Sequence, residues 1–129
     1  MEISLGFELV GEDMEGTRAD LSDAGPGALF AIDQDTFEPA DDDFGMGDHA
    51  GWVHGTAVLT HRDRLVCHLT FSFEADPDDT IVVHGVLPRE GDGIGPGRLA
   101  VTGGTGRFHK AAGTLAVRTQ NPKRFSFTL

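Results

Sequence analysis

Apolar and polar residues alternate along several short stretches of the chain. The alternation is clearest in Ile3–Leu9 and Cys67–Phe73, where every second residue is apolar. A period of two is that of a half-buried β-strand, because successive side chains of a strand point to opposite faces. No window of about 11–18 residues carries an apolar stripe at helical spacing. Asp35–Gly51 is polar, acidic and interrupted by Pro39. The pattern predicts an all-β chain.

Eight segments have strand character. They are Ile3–Val10, Ala28–Gln34, Gly51–His61, Leu65–Phe73, Thr80–Val86, Arg98–Thr102, Gly113–Thr119 and Arg124–Leu129. Residues typical of turns separate them, as in His61–Arg64 and Gln120–Lys123, and Arg89–Gly97 has the composition of a loop. Eight short strands joined by turns are typical of an antiparallel barrel or sandwich. With 129 residues and no repeat or linker, residues 1–129 are expected to form one domain.

Charge is distributed unevenly along the chain. The net charge is −11, of which residues 1–48 carry −13 and residues 49–129 carry +2. No acidic residue follows Asp92. A basic C-terminal part could contact nucleic acid, but the acidic first third would repel phosphate. We therefore expect no nucleic-acid partner, and acidic N-terminal strands beside basic C-terminal strands in one closed sheet.

The sequence also bears on the compartment. It has no apolar run of the about 18–20 residues that a membrane span needs. Met1–Val10 carries two Glu and no basic residue, unlike a signal peptide. The single cysteine, Cys67, cannot form an internal disulfide, and its phase with Phe71 predicts a small buried hydrophobic residue. We expect a reduced, cytoplasmic protein with no membrane partner.

The most distinctive segment is Leu99–Gly113, LAVTGGTGRFHKAAG. A strand followed by glycines also opens dinucleotide-binding domains, in which backbone N–H groups at a helix start bind a pyrophosphate. Here only sixteen residues follow Gly113, they have strand character, and none of them is an acid that could bind a ribose. We therefore expect a turn between the sixth and seventh strands, with glycines where φ is positive or backbones approach closely.

The same segment resembles the signature of the allene oxide cyclase and dirigent superfamily. The most specific positions are Gly103–Gly106, Phe108, Ala111 and Gly113. Further similar segments occur in the family's order, so that the resemblance extends over residues 3–129: Gly27–Asp33, Gly47–His61, His68–Glu74 and Ile81–Gly85. The resemblance implies an eight-stranded antiparallel β-barrel with a central apolar cavity, often assembled as a dimer or trimer. We expect a homo-oligomer accordingly.

Six histidines raise the question of a metal site. His54, His68 and His84 would lie on three neighbouring strands, and three imidazoles can hold zinc with an open position. No local H-x-H or H-x-x-x-H pairing exists, however, and His68 is out of phase with Phe71. We expect these histidines to face solvent or another copy of the chain, and we expect no metal and no other cofactor.

Four polar residues are candidates for catalysis. They are Glu8, Asp33, His84 and Arg118. By its place in the first strand, Glu8 resembles the glutamate that allene oxide cyclases point into their cavity, where a carboxyl group can exchange a proton with the substrate. Simple alternation instead places Glu8 outside, and both interpretations stay open. Arg118 could bind an acid or enolate oxygen, or could lie in solvent.

Aromatic residues from separate strands are expected to line the cavity. They are Phe30, Trp52, Phe71, Phe73, Phe125 and Phe127. Such a lining suits a hydrophobic small molecule that needs few hydrogen bonds. The first interpretation is a cofactor-independent cyclase or isomerase that folds a reactive hydrophobic intermediate inside the barrel, in specialised-metabolite biosynthesis. The alternative is a non-catalytic barrel that binds or carries a hydrophobic small molecule.

Overall fold

A computed structural model describes residues 6–11, 27–39, 46–60, 64–90, 93–118 and 123–129. Nine strands lie in these ranges: β1 (Gly6–Gly11), β2 (Leu29–Pro39), β3 (Met46–Thr60), β4 (Arg64–Phe73), β5 (Thr80–Glu90), β6 (Gly93–Ile94), β7 (Gly97–Thr105), β8 (Gly113–Arg118) and β9 (Lys123–Thr128). A 3-10 turn, Gly106–Phe108, lies between β7 and β8. Within the described ranges, no helix has the length and hydropathy that a membrane crossing requires.

Eight of the nine strands close into a ring. Neighbours along the chain pair antiparallel from β1 to β5, β5 pairs with β7, β7 with β8 and β8 with β9, and β9 returns to β1. The two-residue strand β6 pairs with the last residues of β5. The ring is narrowest between β1 and β2, where the register pairs only Val10 with Phe37 and Gly11 with Thr36 in the described ranges. The predicted eight-stranded antiparallel barrel is confirmed, whereas the predicted loop Arg89–Gly97 contains the end of β5 and all of β6.

Alternation along the strands builds the core. In β4, Leu65, Cys67, Leu69, Phe71 and Phe73 are buried, while the residues between them are less buried or exposed. The same alternation buries Val83 in β5 and Leu115 in β8. Cys67 is fully buried, as its phase predicts. These strands therefore present an apolar face to the barrel interior.

The glycine-rich segment closes one end of the barrel, where β4 and β7 end and β5 begins; we call it the Gly106 end. Gly106 has φ +62°, and a Cβ there would overlap the Asp79 carboxylate. The backbone N–H of Arg107 donates to Asp79 Oδ1 at 2.9 Å. A dinucleotide site would need this N–H to bind a phosphate, but here the N–H already donates to a carboxylate. The predicted turn is confirmed, and two of its glycines, Gly104 and Gly106, pack closely against the residues at the start of β5.

Candidate ligand site in the barrel interior

A small cavity of about 20 Å³ lies inside the barrel, toward the end where β5 stops and β7 begins; we call it the β6 end. It is bounded by side chains from seven of the described strands: Ile32, Gln34, Val53, Cys67, Leu69, Leu87, Ile94, Val117 and Phe125. A space of this size holds about one water molecule, whereas sites for organic ligands are typically about 300–1,000 Å³. A larger ligand therefore requires that lining side chains rotate.

Two polar residues of β2 face this interior. Gln34 is 6% exposed and is the one amide in the described lining. Thr36, two residues further along the same face, is 1% exposed, and its Oγ1 has no hydrogen-bond partner within the described part of the chain. A buried hydroxyl left without a partner costs about 1–3 kcal/mol. The inner face of β2 thus turns from apolar at Ile32 to polar at Gln34 and Thr36.

Of the six predicted cavity aromatics, three meet in the core. The Phe71 ring contacts those of Phe125 and Phe127 edge-on, with centroid distances of 5.1 and 5.0 Å. Phe125 also borders the cavity. Phe73 packs against Phe108 at the Gly106 end, with centroids 5.3 Å apart.

Trp52, the next predicted aromatic, does not join this cluster. Trp52 alternates with buried Val53 and lies on the outer face, where its ring is 5.1 Å from that of His49. Its expected place in the cavity is therefore corrected, because the inward positions of β3 belong to Val53 and Ala57. The side chain of Phe30 lies outside the described part of the structure.

Three of the four catalytic candidates are on the outer face. Asp33 is exposed and its Oδ1 lies 3.0 Å from His54 Nδ1. His84 is exposed beside His68, with ring centroids 5.6 Å apart, and Arg118 is exposed at the end of β8. Each is one residue away from a buried neighbour, so strand alternation turns it outward. The expectation that these three supply polar groups to the interior is corrected on that ground.

Glu8, the fourth candidate, lies in β1 opposite Ser126 of β9. Its side chain is outside the described part of the structure, so its catalytic role stays a prediction. Gln34 and Thr36 were not among the residues predicted for the site. Both share the phase of Ile32 in β2, and this alternation is the sequence feature that indicates an inward side chain. The prediction had considered ionisable residues instead.

A separate charged cluster, formed by His49, Asp35 and Glu74, lies on the outer face near the Gly106 end. His49 Nε2 lies 3.0 Å from Asp35 Oδ1, and its Nδ1 lies 3.3 Å from Glu74 Oε2. The hydrogen bond to Asp35 is the main cause that raises the pKa of His49; desolvation opposes it and Glu74 adds to it. Both ring nitrogens are engaged, so the cluster ties β2, β3 and the end of β4 together.

His54, His68 and His84 do share the outer face of three neighbouring strands. Even so, no group of three or more His, Cys, Asp or Glu among the residues that the structure describes could hold a metal ion.

Two solved structures share this architecture over nearly the whole chain. One is a pyocyanin demethylase, with a TM-score of 0.68, 18% identity, and coverage of 98% of this chain and 100% of that one. The other is a pterocarpan synthase dirigent protein, with a TM-score of 0.62, 16% identity, and coverage of 98% and 81%. The fold is that of the allene oxide cyclase and dirigent barrels. No protein-family model and no curated protein matches the chain.

Proposed function

We propose that the protein is a cofactor-independent cyclase or isomerase that folds a mostly apolar small molecule inside the barrel. The observation that carries the proposal is the interior cavity, with one carboxamide, Gln34, among otherwise apolar side chains. A lining of this kind orients a hydrophobic ligand through shape and a few polar contacts. Holding reactive groups in one geometry lowers the barrier of a ring closure without any cofactor.

The structural neighbours support chemistry on small molecules in barrels of this fold. One is named for the demethylation of pyocyanin, and the other is named a pterocarpan synthase. Because both share less than a fifth of their residues with this chain, their substrates serve here as probes to test. Under this proposal Glu8 remains the candidate proton donor.

A second candidate function is that of a carrier that binds a hydrophobic molecule without changing it. It is favoured by the described lining, which contains no carboxylate, imidazole or amine. A general acid or base must lie within hydrogen-bond reach of the reacting atoms. Whether the Glu8 side chain takes that position separates the two functions.

Ligand entry is tested by titrating the protein with N-phenyl-1-naphthylamine, whose fluorescence rises in apolar surroundings, and with pyocyanin. Val117 borders the cavity and is 4% exposed, whereas Ala116 is the next residue on the outer face. Val117→Phe should therefore weaken probe binding and Val117→Ala should strengthen it, while Ala116→Phe leaves it unchanged. Equal affinities in all three variants would show that the probe does not enter the barrel.

Catalysis is tested in cells from which the gene has been deleted. An isomerisation, and a ring closure in which no group leaves, conserve mass. Loss of an enzyme that catalyses either step therefore leads to accumulation of an isomer with the mass of the product. Loss of a carrier changes only amounts. Restoring the gene as Glu8→Gln should leave the isomer in place, and recovery of the wild-type profile would remove Glu8 from the mechanism.

A further inference from the structure

We infer that the inner face of β2 selects ligands that carry a neutral oxygen group, through the Gln34 carboxamide and the Thr36 hydroxyl. This inference rests on the proposed binding of a small molecule in the barrel. Beyond that function, it specifies the chemical class of the ligand. The ligand has an apolar skeleton, and the end of the ligand that lies deepest in the barrel carries a ketone, enol or phenol oxygen.

Gln34 stands at the boundary between the cavity and the deeper core. Its eight companions in the described lining are aliphatic, aromatic or thiol side chains. A carboxamide has two N–H donors and a carbonyl oxygen with two lone pairs, so it can contact a ligand while it keeps an interaction within the protein, as Gln34 has. It can therefore donate to a ligand carbonyl or accept from a ligand hydroxyl.

Thr36 extends the same polar face away from the β6 end. Its partner in β3 is Gly51, which in turn pairs with Phe73, the last residue of β4. Residues two apart on one strand face are about 6.6–6.8 Å from each other, so Thr36 lies one such step beyond Gln34. It is outside the described cavity lining, and a ligand at Gln34 reaches it when lining side chains rotate. The Oγ1 of Thr36 has no hydrogen-bond partner among the described residues, although the side chain is almost fully buried. This is the second, independent sign of a polar ligand group.

The oxygen group must be uncharged. No Lys, Arg or His borders the described cavity, and the outward candidates Arg118 and His84 lie on the other side of the sheet. An ionised carboxylate moved into this lining would lose its hydration without gaining a cation. A neutral ketone or hydroxyl loses less hydration free energy, and it can form hydrogen bonds with the Gln34 amide and the Thr36 hydroxyl.

Two probes of the same shape separate polar recognition from apolar burial. 1-Naphthol and 1-methylnaphthalene differ by a hydroxyl in place of a methyl group, and both are titrated calorimetrically at pH 7 against the wild type and variants. Gln34→Leu should weaken 1-naphthol binding about tenfold, and Thr36→Val about threefold to tenfold, in line with lost hydrogen bonds. Affinity for 1-methylnaphthalene should stay within about twofold. Ionised 1-naphthoate should bind at least about tenfold more weakly than 1-naphthol.

Thr56→Val, an exposed threonine on the outer face of β3, is the matched control and should change neither affinity. If 1-methylnaphthalene binds and 1-naphthol affinity is unchanged in both variants, the inference fails while the proposed binding function stands. An equal loss for both probes shows a change of shape and also overturns it. If neither probe binds the wild type, the proposed function fails with it. Thr36→Val preserves side-chain volume, so it keeps the test valid if Gln34→Leu does not fold.

Discussion

Replacing Gly106 by alanine should destabilise the barrel by several kcal/mol. Gly106 has φ +62°, a conformation that costs a residue with a side chain about 1–2 kcal/mol. The new methyl group would overlap the Asp79 carboxylate and lie 2.9 Å from the Asp78 carbonyl oxygen. Asp79 is 8% exposed, so its carboxylate has little room to move without giving up its hydrogen bond from the Arg107 N–H. A bond of that kind, to a charged acceptor, contributes about 1.5–3 kcal/mol.

The two effects together predict a loss of about 2.5–5 kcal/mol, or about 10–20 °C in melting temperature for a domain of this size. The ion pair between Arg107 and Asp79 adds little to this loss, because the arginine side chain is 64% exposed and solvent screens its charge. Unfolding is followed by circular dichroism in urea and on heating.

Gly103, in the same motif, is the matched control for Gly106→Ala. Nothing lies within 4 Å of a Cβ at that position, and its φ is not positive. Gly103→Ala should therefore be neutral or stabilise the protein by up to about 1 kcal/mol, through the unfolded chain. If Gly106→Ala melts with the wild type, or if Gly103→Ala is destabilised as strongly, the steric account of the motif is wrong.

Three further predictions concern the core, the charged cluster and the assembly. Phe71→Ala, which leaves Phe125 and Phe127 without their shared neighbour, should cost about 3–5 kcal/mol in urea unfolding, and a cost below that of Phe71→Leu would contradict it. Because the pKa of His49 is raised in the folded protein, its ion pairs stabilise the fold fully below the ordinary value of 6.5, and this stabilisation is lost as pH rises through the pKa of the folded state. The difference in urea midpoint between the wild type and His49→Gln should therefore be larger at pH 5 than at pH 8. The opposite order would refute the assignment. The chain should self-associate, because Leu29 and Val86 on the outer face are 67% and 49% exposed. Light scattering that shows only a 13.8 kDa species would count against this.

Local sequence determined the strands and the turn that closes the barrel. In Cys67–Phe73 the strict alternation leaves one possible inward face, and the structure buries that face. The glycine motif likewise carries its own requirement, because positive φ and close packing against Asp79 depend on the absence of a Cβ. These features need only a few neighbouring residues, so they can be predicted without the fold.

The inward faces of β2 and β3 depended on closure of the ring. Both strands carry polar or aromatic residues in either phase, and alternation alone does not say which phase is inside. Pairing of Gln34 with Val53 and of Asp35 with Trp52 puts the amide in the core and the indole outside. The prediction had favoured the ionisable and bulky residues for the interior.

The lengths of the same two strands were also decided by tertiary pairing. The sequence predicted that β2 ends at Gln34 and β3 begins at Gly51, because the residues between are acidic and contain Pro39. In the structure the ladder continues through two register shifts to Pro39 and Met46. Hydrogen bonds to a neighbouring strand and the contacts of His49 with Asp35 and Glu74 stabilise these polar residues as strands, although their side chains contribute nothing to an apolar face.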